Sequence, residues 1–85
     1  MQTNYQGSIS KGSSALQTST ANTEIIPTGL VILNFALMND QNCNVIINGG
    51  DSIFIRASQG IFIDKVSSCK ITTSAVTFNW IGVQG

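Results

Sequence analysis

Few side chains in this sequence could carry out acid–base or nucleophilic chemistry. The 85 residues contain no His, and the four acidic residues are Glu24, Asp40, Asp51 and Asp64. Asp40 and Asp51 lie in predicted turns, where a short carboxylate caps backbone amides. Asp64 and Lys65 are neighbours on a predicted strand, so they point to opposite faces. Because a Ser, Thr or Cys nucleophile needs a base beside it and only Lys could serve, the sequence predicts a protein that is not an enzyme.

Motifs for metals and small ligands are weak as well. Cys43 and Cys69 form no CxxC pair, and without His they make a poor metal site. Residues 48–50 (NGG) are rich in glycine, but neither Lys-Ser/Thr nor a helix start follows them, as a phosphate loop requires. No predicted loop holds more than one Asp, whereas calcium needs several acidic oxygens. We therefore expect no metal and no cofactor.

The two cysteines also bear on the compartment. Residues 1–10 lack the basic and apolar regions of a secretory signal, which predicts synthesis in a cytoplasm. That favours two free, packed thiols at Cys43 and Cys69, with a disulfide formed after release from the cell and a reactive thiol as alternatives. The longest apolar run, residues 30–38, is about half the ~20 residues that a spanning helix needs. We therefore expect no contact with a membrane.

Charge is scarce along the whole chain. Charged residues make up 9% of the sequence, and four Lys or Arg balance four Asp or Glu to a net charge of zero. Soluble domains contain roughly 25% charged residues on average. A protein that binds nucleic acid would carry a basic excess. The balance of charge therefore predicts no nucleic-acid partner.

The composition changes at about residue 22. Residues 1–22 are mostly Ser, Thr, Gln, Asn and Gly with a single charge at Lys11, and such a segment buries too little surface to order itself. Tyr5, Ile9 and Leu16 interrupt the polar run, although a solvated tail does not need them. We therefore predict a polar N-terminal arm that orders against a neighbouring subunit, with those three residues as candidate attachment residues. A frayed terminus is the alternative.

From residue 23 onward the apolar pattern alternates as it does in β-strands. Asn48 and Gly49 tolerate positive φ, so they predict a tight hairpin turn. No helical period separates the predicted strands. Six or seven strands at a spacing of about ten residues predict a small antiparallel β-sandwich or barrel over residues 23–85. The predicted strands are residues 23–26, 30–38, 43–47, 52–56, 61–66, 69–73 and 76–83.

Several of these strands carry more apolar residues than one face can use. Strand spacing in residues 30–38 places Leu33 with Phe35 and Leu37 on one face and Ile32 with Ala36 on the other, which predicts cover on both sides. In SIFIR and IFIDK the phenylalanines are out of phase with the isoleucines, so one apolar set faces outward. Exposed apolar patches on a monomer are a liability, and edge strands with few charges are unprotected. We therefore predict self-association, with four candidate interface residues, Phe54, Phe62, Phe78 and Trp80.

Four segments resemble small virion proteins of tailed bacteriophages and prophages. They are residues 45–50 (VIINGG), 52–57 (SIFIRA), Gly60 and 76–82 (VTFNWIG), and the resemblance covers about residues 28–85. It implies a non-enzymatic structural subunit of the capsid decoration or head-fibre-base type, commonly trimeric. Such a protein is made in the host cytoplasm and located in the virion. Its partners would be further copies of itself and the viral capsid or another virion protein.

Two other functions remain open at this point. A carbohydrate-binding adhesion module for host-surface glycans would stack aromatic rings on sugars and bind hydroxyls with amides. Trp80 lies in a well-patterned strand, which favours a core or interface position over a ligand platform. A self-assembling sheath or pilus-like subunit would use the same apolar surplus to form fibres.

Overall fold

Nine strands build two antiparallel sheets in the computed structural model, which describes residues 9–85. The small antiparallel β-sandwich predicted from the sequence is confirmed. None of the described residues forms a helix that is long and apolar enough to cross a membrane. The strands are β1 (Ser10–Gly12), β2 (Gln17–Thr18), β3 (Thr23–Glu24), β4 (Ile32–Asn39), β5 (Cys43–Ile47), β6 (Ser52–Ile55), β7 (Ile61–Val66), β8 (Cys69–Ile71) and β9 (Thr77–Gln84).

The order of the strands is that of a jelly roll. Sheet A has the order β1–β9–β4–β7, with β2 also paired to β9, and sheet B has the order β3–β8–β5–β6. From β3 onward, every connection except the β5–β6 hairpin crosses from one sheet to the other. This alternation of eight main strands between two sheets defines the jelly roll. It places β6 and β7, which follow each other in the chain, at the ends of their sheets.

The β5–β6 hairpin turns at Asn48 and Gly49. Their φ angles are 51° and 73°, both positive as a type I′ turn requires. Asn48 also joins this turn to the β7–β8 connection. Its side-chain Oδ1 accepts a hydrogen bond from the Ser67 N–H at 2.8 Å, and its backbone N–H donates to the Ser68 carbonyl at 2.7 Å. One residue thus both shapes the turn and holds two connections together.

The core lies between the sheets and is almost entirely apolar. Side chains from both sheets alternate inward, and the rings of Phe35 and Trp80 contact each other with centroids 5.8 Å apart. Asn39 is a buried polar exception that is fully hydrogen-bonded: its Nδ2 donates to the Arg56 carbonyl at 2.8 Å, and its Oδ1 accepts from the Gly60 N–H at 2.9 Å. The largest fully buried apolar side chains are Phe35, Ile32, Leu37, Ile55, Ile71, Val45, Val66 and Val76.

A bulge in β4 changes which residues face the core. The pairing of β4 with β9 shifts between Leu33 and Ala36, and Asn34 has a φ of 52°. The extra residue turns Ile32 inward together with Phe35, and Leu33 joins Ala36 on the outer side. The prediction that Leu33 shares a face with Phe35 is therefore wrong, because simple alternation does not allow for a bulge.

Much of the predicted arm lies inside the sandwich. Ser10–Gly12 and Gln17–Thr18 both pair with β9 along the edge of sheet A. Ser19 is buried: its Oγ donates to the Thr73 carbonyl at 2.7 Å and accepts a hydrogen bond from the Val76 N–H at 3.0 Å. The β-sandwich therefore includes residues 10–22 in addition to residues 23–85. The polar composition that separated them reflects an edge whose side chains are mostly exposed.

Candidate interaction surface

The outer face of sheet A carries an apolar row that crosses the sheet. Phe62 on β7 lies opposite Ala36 on β4, and Ala36 lies opposite Ile81 on β9. Directly opposed residues in antiparallel strands point to the same side of the sheet. The side chains of Phe62 and Ile81 are 63% and 60% exposed. The row therefore presents two large apolar side chains on either side of a small one.

Three more apolar residues extend this row along the strands. Leu33 lies opposite Val83, and both are half-buried, while Met38 lies opposite Asn79 and is exposed. Within residues 9–85, Lys65 is the only charged residue that pairs directly with any of the six, through Leu33. We call the six residues together the apolar face: Leu33, Ala36, Met38, Phe62, Ile81 and Val83.

A second apolar surface lies at the end of sheet B, along β6. Ile53 and Phe54 are 48% and 57% exposed, although they point to opposite sides of the strand. Ile53 is in phase with the buried Ile55, so it is exposed because the sandwich is open beside it. Among residues 9–85, no strand pairs with the outer side of β6. We call this strand and its outer side the β6 edge.

The predicted interface residues divide between the surface and the core. Phe54 lies on the β6 edge and Phe62 on the apolar face, whereas Phe78 and Trp80 are 3% and 8% exposed and belong to the core. The sequence reasoning missed Ile81, Met38 and Ile53. Ile81 is out of phase with Trp80 on β9, so the alternation of that strand already placed it on the opposite face.

The candidate attachment residues lie near the N-terminus. Ile9 and Leu16 are exposed. Leu16 comes soon after Ser13 in the chain, and the Ser13 Oγ accepts a hydrogen bond from the Trp80 N–H at 3.1 Å. Tyr5 lies outside the described residues. The two described attachment residues therefore lie beside the edge of sheet A, next to β9.

Titratable side chains do not come together in a site. Within residues 9–85 no group of three His, Cys, Asp or Glu could hold a metal ion, and the surface formed by the same residues has no pocket. Glu24 has a structural role, because its carboxylate accepts hydrogen bonds from the Cys69 N–H at 2.9 Å and the Ser68 hydroxyl at 2.7 Å. It thereby ties β3 to the start of β8.

Both cysteines are free and buried. Burial raises the pKa of the Cys43 thiol above its ordinary value. Burial also raises the pKa of Cys69 to about 12, and the nearby charges of Glu24 and Cys43 add to this effect. With their pKa values raised, both thiols stay protonated at neutral pH. Because the thiolate is the reactive form, these side chains act as small core residues.

The arrangement suits contact with other proteins. Both exposed surfaces are apolar and lie on strands. No protein-family model, no curated protein and no solved structure matches the chain. The features available for recognition are the apolar face, the β6 edge and the N-terminal residues.

Proposed function

We propose that this protein is a non-enzymatic structural subunit of a bacteriophage virion, of the capsid decoration or head-fibre type, which self-associates and attaches to the viral particle. The observation that carries the proposal is the apolar face. It is a set of neighbouring apolar side chains on the outside of a sheet, three of them large and exposed, where a subunit that acts alone would place polar residues. The resemblance of residues 28–85 to small phage virion proteins supplies the class.

The size of the apolar face supports a role in binding. Met38, Phe62 and Ile81 are between 47% and 63% exposed, and together they present roughly 300 Å² of apolar surface. Patches of about this size on single proteins are often functional. Contact with another subunit would remove this surface from water, which stabilises the assembly.

The geometry of sheet A favours a ring over a simple dimer. The strands of sheet A are about 4.8 Å apart and two to eight residues long, so the sheet covers roughly 450 Å². A dimer formed through this face alone would bury less than the ~800 Å² per partner of a typical stable interface. In a cyclic trimer each subunit contributes two different surfaces, so the area per subunit is larger. We therefore favour three copies.

Attachment to the particle would follow from the N-terminal residues. Ile9 and Leu16 are exposed beside β9, and residues 1–8 precede them. One such contact per subunit is weak, but several subunits held in one ring bind together, and the effective concentration strengthens attachment. A near-neutral surface also approaches other subunits without strong charge repulsion.

Sedimentation analysis tests the self-association. The double variant Phe62→Ser/Ile81→Ser removes the two most exposed side chains of the apolar face, and we expect the native mass to fall by a factor of three. Asn79→Ser changes an exposed polar residue on the same face and serves as the matched control. An unchanged mass for the double variant would refute the role of this face. Circular dichroism spectra confirm that each variant is folded.

Immunogold electron microscopy tests the location. Antibodies raised against the purified protein should label particles isolated by density gradient from the source organism. Labelling of cell walls or of fibres in place of particles would contradict the virion assignment.

The carbohydrate-binding alternative loses its best aromatic platform. Trp80 is 8% exposed and packs against Phe35, so it could stack on a sugar only if the core opened. Phe54 and Phe62 are exposed, but they lie on different sheets, and glycan binding usually draws on a concave site with convergent polar groups. Calorimetric titration of the protein with cell-wall glycans distinguishes the two functions.

A further inference from the structure

We propose that the β6 edge pairs with β6 of a second copy of this chain, antiparallel and across a two-fold axis at Ile53, so that two copies of sheet B form one continuous sheet. This contact extends the self-association of the proposed function, on which it rests, but it uses a different surface. The apolar face would hold subunits together within a ring, whereas β6 would join two rings, so that loss of the apolar face leaves a dimer with one third of the native mass.

Hydrogen bonds on β5 show which backbone groups of β6 point outward. The Thr72 N–H donates to the Asn44 carbonyl at 3.0 Å, so the backbone of Asn44 points toward β8. Because these directions alternate along a strand, the N–H and C=O groups of Val45 point toward β6 and form hydrogen bonds with its partner Ile53. The N–H and C=O groups of Ser52 and Phe54 therefore point away from β5, toward the open edge.

One register uses all of these outward groups. When Ser52 of one copy lies opposite Phe54 of the other, and Phe54 opposite Ser52, the two pairs form four N–H···O=C hydrogen bonds. Ile53 then lies opposite Ile53 of the second copy in a close pair without hydrogen bonds. Two-fold symmetry requires both copies of a residue to lie on the same side of the sheet, and this register satisfies that condition.

The charges at the ends of β6 favour the antiparallel direction. No charged residue lies within Ser52–Ile55, but Asp51 precedes the strand and Arg56 follows it. Antiparallel pairing brings the Asp51 end of one copy beside the Arg56 end of the other, at both ends of the contact. Parallel pairing would bring like charges together. Opposite charges thus complement each other only in the proposed direction.

Apart from its length of only four residues, the strand lacks the devices that keep edges apart. The pairing of β6 with β5 is regular, and the strand contains neither Lys, Pro nor a bulge. Ile53 is half-exposed at the open side of the sandwich. Pairing would place its side chain against the same side chain of the second copy and remove both from water.

Cysteine substitutions test the register directly. In the proposed contact the two Cα atoms of residue 53 are about 4.5 Å apart, which is within the range of a disulfide. Those of residues 52 and 54 are each roughly 8 Å from their own copies, beyond that range. Under mild oxidation Ile53→Cys should form a cross-linked dimer at least ten times faster than Ser52→Cys or Phe54→Cys. Equal cross-linking by all three, or none by Ile53→Cys, would overturn the proposal.

Proline tests the backbone contact separately. The N–H of Phe54 points to the open edge, so Phe54→Pro removes an outward donor without removing a bond to β5, whereas Phe54→Ala keeps the donor. Both are made in the Phe62→Ser/Ile81→Ser background, where the apolar face no longer contributes. There we expect a dimer of the 9.0 kDa chain, with a dissociation constant raised about thirty-fold by Phe54→Pro and only a few-fold by Phe54→Ala.

The two proposals fail in different ways. If the Phe62→Ser/Ile81→Ser variant keeps the full native mass, the apolar face is not the interface, and the proposed function loses its support. If that variant is a monomer at all concentrations, or if proline and alanine weaken its dimer equally, the β6 pairing is wrong whatever the state of the unmodified protein.

Discussion

The ring of Trp80 packs against the ring of Phe35 at a centroid distance of 5.8 Å and a tilt of 35°. Trp80 comes from β9 and Phe35 from β4, two neighbouring strands of sheet A. Offset, tilted aromatic pairs of this kind are favourable beyond the area that they bury. The contact fixes the only tryptophan of the chain in the core, on the side of the sheet opposite to the apolar face.

Replacement of Trp80 should therefore destabilise the fold. We expect Trp80→Ala to lower the free energy of unfolding by about 3–5 kcal/mol, because it leaves a cavity next to Phe35. Phe62→Ala removes an aromatic ring from an exposed site and should change the unfolding of the separated subunit by about 0.5 kcal/mol or less. Urea unfolding followed by circular dichroism measures both. Equal losses would contradict the assignment of Trp80 to the core and Phe62 to the surface.

Asn48 should affect stability through both its backbone and its side chain. Asn48→Gly keeps the positive φ and the backbone bond to the Ser68 carbonyl, but it removes the hydrogen bonds that Asn48 Oδ1 accepts from the Ser67 and Ser68 N–H groups. Asn48→Ala removes the same bonds and also strains the turn. We expect Asn48→Gly to cost about 1–2 kcal/mol and Asn48→Ala about 1 kcal/mol more. Thermal unfolding compares the two, and Asn22→Gly, at another positive φ, serves as the control for the effect of glycine itself.

The buried thiols predict a loss of stability at alkaline pH. The folded-state pKa of Cys69 is about 12, against an ordinary value of 9.0, so the unfolded chain releases this proton first. The contribution of the protonated Cys69 thiol to the free energy of unfolding is fully present below pH 9. It is lost as the pH rises from 9 to 12, by up to about 1.4 kcal/mol per pH unit. Urea unfolding at pH 8, 10 and 11 measures this slope. In Cys69→Val the slope should be shallower, and an identical slope would contradict the prediction.

The strands and the turn could be predicted from the sequence because they follow from local preferences. Alternation of apolar residues located every strand from residue 23 onward, and Asn48-Gly49 located the hairpin. Two features could not be predicted in this way. The bulge at Asn34 exchanges Leu33 and Ile32 between the faces of β4, and no residue type requires it. The short edge strands β1 and β2 owe their order to pairing with β9, so their composition resembles that of a tail.

The residues of the exposed apolar surface could be predicted only in part. The surplus of phenylalanine showed that some apolar residues face outward, and Phe54 and Phe62 do so. Which of the two sets on β9 is buried depends on how the sheets stack, and this relation between distant segments is not encoded in strand period. Phe78 and Trp80 therefore fall in the core, and Ile81 falls on the apolar face.

The N-terminal residues offer a final prediction, which separates attachment from folding. Deletion of residues 1–8 leaves β1, β2 and Ser19 in place, so we expect native stability, an unchanged mass and weaker binding to purified particles. Deletion of residues 1–19 removes both short strands and leaves the Val76 N–H, buried beside the core, without the Ser19 hydroxyl. It should cost several kcal/mol of folding free energy, because β9 becomes an unprotected edge and a buried donor loses its partner.

Ser19→Ala isolates the loss of that hydrogen-bond partner and should cost about 1–3 kcal/mol while particle binding stays normal. Full particle binding after deletion of residues 1–8 would exclude this segment from attachment and leave Ile9 and Leu16 as the residues to replace next.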